Sequence, residues 1–107
     1  MIVQLKSAHP DYPELSHPQS YLVIGIEADD YRLLNDLGRP YLYPASIFEV
    51  TDPAEPGQWV SELGEDNERY AYPPALNAAG FFEDFFEGRP EVVQTFWQTI
   101  NRHLTAA

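Results

Sequence analysis

The apolar positions of this chain change period along its length, from strand-like alternation in the first two thirds to helical spacing in the last. Met1 to Leu5 is a short apolar stretch that predicts an edge strand. From His9 to Pro18 the prolines Pro10, Pro13 and Pro18 fix φ and remove backbone donors, so a loop is expected, with Tyr12 and Leu15 placed to tether it. The run Tyr21-Leu22-Val23-Ile24-Gly25-Ile26 is β-branched and aromatic and predicts a strand ending in the polar Glu27-Ala28-Asp29-Asp30. Tyr31-Arg32-Leu33-Leu34 follows as a second strand, and Asn35-Asp36-Leu37-Gly38 as a tight turn. Tyr41-Leu42-Tyr43-Pro44 and Ile47-Phe48-Glu49-Val50 extend a β-meander, which the segment from Thr51 to Gly57 breaks. Gln58 to Leu63 and Arg69 to Tyr72 flank an acidic Gly64-Glu65-Asp66-Asn67-Glu68 and read as a hairpin; a helical turn at Trp59 to Leu63 is the alternative.

Pro73-Pro74 closes the strand region. Asn77 is placed to cap a short helix carrying Phe81, Phe82, Phe85 and Phe86, which Gly88 ends. Pro90 suits the first position of a final helix whose Val92, Val93, Phe96, Trp97, Ile100 and Leu104 trace one face. Glu91 at its start and Arg102 and His103 at its end match the macrodipole. The expectation is a single α+β domain over residues 1–107, with strands over about 1–72 and helices over about 77–104. The strands are expected to form a small, strongly bent antiparallel β-barrel of SH3-like type, with the helices covering one mouth or face.

Composition narrows the partner class. The chain has 107 residues, 44% of them hydrophobic, enough for one core. Asp and Glu number 17 against six Lys and Arg, a formal charge of -11, so nucleic acid and anionic membrane surfaces are repelled and the matching partner is basic. With no Cys, disulfides, thiolate metal sites and cysteine nucleophiles are excluded. The opening Met1-Ile2-Val3-Gln4-Leu5 lacks the basic start and long apolar middle of a signal peptide, which predicts a cytoplasmic protein.

Candidate chemistry is sparse. His9, Asp11, Glu14 and His17 offer donors, but three prolines hold that segment extended, which separates them. The carboxylate pairs Asp29-Asp30 and Glu65-Asp66 fall in turns, where acids are usually solvated turn formers. Ser20 and Ser46 lack a nucleophile setting, His103 reads as a helix-end residue, and the glycines are scattered singly, so neither a triad nor a phosphate cradle can be assembled. No cofactor is called for.

Charge distribution is more informative. Between Arg39 and Arg69 the chain carries Glu49, Asp52, Glu55, Glu62, Glu65, Asp66 and Glu68 and no basic residue. Gathered on one face beside Trp59, Tyr70 and Tyr72, these acids would join electrostatic attraction to aromatic anchors in a partner-binding surface. The alternative places the aromatics in the core and leaves the acids as solubilising charge. A second acidic group follows at Glu83, Asp84, Glu87 and Glu91.

The stretch Tyr31-Arg32-Leu33-Leu34-Asn35-Asp36 with Gly38, Pro40, Leu42-Tyr43-Pro44, Phe48, Val50 and Asp52 resembles a pattern recurring in small acidic bacterial proteins. Trp59, Gly64-Glu65, Tyr72, Pro74 and Phe81-Phe82-Glu83-Asp84 extend the likeness over most of the chain. In size and charge such proteins are similar to the immunity proteins of polymorphic toxin systems, which neutralise a cognate toxin by covering its active site or substrate channel. The resemblance implies a non-enzymatic bacterial interaction protein, and the acid excess with its basic-free middle makes the first reading an immunity or antitoxin protein occluding a basic, nuclease-type toxin domain. A second reading is an adaptor barrel holding an extended peptide in an aromatic groove of Tyr31, Tyr41, Tyr43 and Trp59. A third, ranked last, is an enzyme using the His9 to His17 loop or a carboxylate pair.

Overall fold

The computed structural model describes the backbone of residues 1–105 and the side chains of residues 1–102. The His103 and Leu104 side chains, expected at the end and on the apolar face of the last helix, lie outside the described residues. The strands are β1 (Ile2–Leu5), β2 (Ser20–Glu27), β3 (Asp30–Leu34), β4 (Pro40–Pro44), β5 (Phe48–Asp52), β6 (Val60–Leu63) and β7 (Arg69–Tyr72), followed by α1 (Phe81–Phe86) and α2 (Pro90–Thr105). The fold is α+β, with a seven-stranded sheet whose pairings are all antiparallel.

The strand order is β4-β3-β2-β1-β5, with β7 joining β2 and carrying β6. β2 serves two neighbours along one edge: Ser20 to Leu22 pair with β1, and Ile26 and Glu27 pair with β7. A register shift between Val23 and Gly25 divides the two halves, the kind of irregularity that bends a strand. Among the described pairings β4, β5 and β6 each bond along one edge only, so the sheet bends without closing into a barrel. Met1 to Leu5 does not form the expected edge strand. β1 lies between β2 and β5 with Val3 and Leu5 wholly buried, because β5 returns from far along the chain to cover it.

β2 is apolar on both faces. Tyr21, Val23 and Ile26 enter an inner core with Val3, Leu5, Leu33 and Phe48, while Leu22 and Ile24 turn to an outer core with Leu76, Phe82, Phe96 and Ile100. The helices lie over that outer face. Asn77 does not cap α1; it ends a 3-10 turn at Pro74–Leu76, and Gly80, at φ 74°, takes the cap position. The left-handed backbone at Gly80 turns the chain sharply enough to drop Phe81 and Phe82 into the core, and Phe86, at the far end of α1, stays 44% exposed. Among the described residues no helix is long and apolar enough to cross a membrane.

The proline-rich loop is tied down as expected. Leu15 is buried, and the Tyr12 ring meets Tyr43 edge-on at 5.4 Å. The Asp36 carboxylate accepts from Ser16 Oγ and Tyr21 Oη, each at 2.6 Å, and Glu14 accepts from Tyr43 Oη at 2.8 Å.

Candidate functional site

Alternation along β7 sends Ala71 into the inner core and Tyr72 to the helix-covered face, where the Tyr72 ring lies across Gly25 of β2. A Cβ at Gly25 would fall 2.0 Å from that ring, so only glycine admits it. Opposite Gly25 stands Arg32 of β3, 7% exposed. Its Nε donates to Tyr72 Oη at 2.7 Å, Nη1 to the Pro40 carbonyl at 2.7 Å and Nη2 to Glu27 Oε2 at 2.9 Å. Tyr72 Oη in turn donates to Glu27 Oε2, and the Arg32 guanidinium stacks 3.8 Å from the Phe82 ring centroid. Burial pushes the Tyr72 phenol well above its ordinary 10.0, against the opposing charge of Arg32. The buried cation is thus compensated by Glu27 within its own network.

Above this network lies an open cleft of about 310 Å³ between the β6–β7 hairpin, the chain from Asn77 to Gly80, and α1. Glu62 and Tyr70, which face each other across the hairpin, form one wall, and Glu83 of α1 the other; Glu27 and Tyr72 lie at the base. Glu62 and Glu83 pair with no cation among the described residues. Tyr70 is 38% exposed, and its phenol is raised by desolvation and then by the negative charges of Glu68 and Glu27. The field at the cleft mouth is negative.

The residues singled out from sequence are distributed unevenly. Glu62, Tyr70 and Tyr72 meet in the cleft, although Tyr72 is buried and serves as floor. Glu65 and Asp66 are exposed at the hairpin turn, and Glu68 folds back to accept the Asp66 backbone N–H at 2.8 Å. Glu55 is committed to Arg69, whose Nη1 and Nη2 reach its two oxygens at 2.7 and 2.6 Å. Arg69 holds the Glu55 carboxyl below its ordinary 4.5. Glu49 is exposed on β5 opposite Gln4, and the exposed Asp52 accepts from the Ala54 N–H. Trp59 packs against the inner core, and its Nε1 finds no hydrogen-bond partner in the described structure.

The aromatic groove expected from Tyr31, Tyr41, Tyr43 and Trp59 is not assembled. Tyr43 is buried and bonded to Asn35 and Glu14, Tyr41 packs on Phe86, and Tyr31 lies against Phe48. In the His9 to His17 loop Glu14 is engaged by Tyr43, and His9 Nδ1 accepts from the Asp11 N–H. No cluster of three or more His, Asp or Glu side chains suited to a metal occurs among the described residues.

Glu27, Arg32 and Glu83 are cleft residues that the sequence reading left out of the surface. The signal for Arg32 was present: one charge inside the apolar run from Tyr31 to Leu34, with Glu27 just across a short turn. No protein-family model matches this chain, and neither a curated protein nor a solved structure does.

Proposed function

We propose that this chain is a non-enzymatic binding domain that occludes a basic protein, acting as an immunity or antitoxin protein against a nuclease-type toxin in the bacterial cytoplasm. One observation carries the reading: the cleft beside the β6–β7 hairpin joins uncompensated carboxylates, Glu62 and Glu83, to the exposed ring of Tyr70. A toxin that grips phosphates presents cations, and carboxylates set on a rigid hairpin and helix can stand in for those phosphates. The formal charge of -11 extends the attraction beyond contact range. The strand order β4-β3-β2-β1-β5, with a 3-10 turn at Ala45–Ile47 leading into β5, supports reading the sheet as an opened SH3-like half-barrel.

Survival of cells producing nuclease toxins from the same genome, with and without this chain, tests the role. Restored growth against one toxin is expected, and loss of that protection when Glu62, Glu65, Asp66 and Glu83 are all made neutral. Growth restored equally by the neutralised variant would refute the acidic-surface account.

A further inference from the structure

We infer that the cleft between the β6–β7 hairpin and α1 receives a single arginine side chain of the basic partner. The inference rests on the protein-binding reading above and adds the chemistry of its anchor.

Three features set the occupant. The volume, about 310 Å³, suits one long side chain rather than a folded element. The charge is negative, since Arg32 is offset by Glu27 while Glu62 and Glu83 stand on opposite walls without a cation. The walls are also aromatic: Tyr70 presents an exposed ring, and Tyr72 and Phe82 lie beneath it. A guanidinium satisfies all three. It is planar, so it stacks on a ring, and its forked N–H groups offer several donors to the carboxylates that line the cleft. An ammonium has no plane to stack and holds its water more tightly. The same chemistry already operates one layer down, where Arg32 stacks on Phe82 and donates to Glu27. A phosphate or other anion would meet Glu62 and Glu83 without a neutralising group.

The test is an NMR titration of the intact protein with a capped tripeptide whose central residue is arginine, alongside its lysine and citrulline counterparts. Saturable shifts centred on Tyr70, Tyr72 and the Ala78 to Glu83 segment are expected with arginine and none with the neutral citrulline. The double variant Glu62→Gln, Glu83→Gln should bind about tenfold more weakly, as expected for two partly exposed charge contacts. Glu49→Gln with Glu91→Gln removes the same charge elsewhere and should bind as the parent does. Unchanged amide spectra away from the cleft confirm folding of each variant. Equal weakening in both double variants, lysine binding as tight as arginine, or shifts centred elsewhere would overturn the inference. Such an outcome beside retained toxin protection removes only the arginine anchor. Arginine binding in the cleft beside absent protection removes only the occlusion role.

Discussion

Arg32 sits at the base of the cleft, and its substitution separates the forces there. Arg32→Met leaves the partly exposed Glu27, the Tyr72 hydroxyl and the Pro40 carbonyl without their shared donor and should cost about 1–3 kcal/mol in urea unfolding, the range for buried polar groups left unpaired. Gly25→Ala should destabilise by about 1–3 kcal/mol, because the new Cβ would fall 2.0 Å from the Tyr72 ring and shifting that ring breaks its hydrogen bonds with Arg32 and Glu27. Gly57→Ala, with nothing within 4 Å of the new Cβ, is the matched control and should be close to neutral. Glu55 sets a pH dependence. Its folded carboxyl lies below 4.5, so the stability it contributes is complete above the unfolded value and is lost as pH falls through the depressed one. In acid titrations monitored by circular dichroism, Glu55→Gln should therefore lose stability at neutral pH and show a shallower decline below pH 4.5. Individual roles of this kind were only partly legible in the sequence. Glu55 and Glu62 look alike as letters in an acidic stretch, yet one is clasped by Arg69 and the other faces a cleft. That difference depends on which strand each faces after folding.

At the scale of elements, local pattern carried most of the information. The β-branched run at β2, the hairpin around Glu65-Asp66 and Pro90 at the head of α2 were all readable, because each is decided by residues adjacent in the chain. Local pattern predicts an edge position for β1 and Asn77 as the cap of α1; β1 is instead covered by β5, a long-range partner, and a 3-10 turn intervenes at Pro74–Leu76. The spacing i, i+1, i+4, i+5 spreads the four phenylalanines of α1 over a wide arc of the helix, so Phe81 and Phe82 are buried while Phe86 stays exposed. The β2–β3 turn offers a test of its own. Ala28 holds φ at 55°, a conformation costly for a residue with a Cβ, so Ala28→Gly should raise stability by about 0.5–1 kcal/mol in thermal or urea unfolding.

At the scale of the whole molecule, the acid excess sets both the stability in low salt and the approach of a partner. Seventeen acidic against six basic side chains repel one another in the folded state, so the thermal midpoint should rise as salt screens them. Partner approach should respond in the opposite sense, since screening also removes the attraction. The most direct measurement is the association rate between this chain and the toxin it protects against, followed from 50 to 500 mM salt. The account predicts a fall of about tenfold or more, with dissociation changing far less. An association rate that stays flat across that range would contradict it.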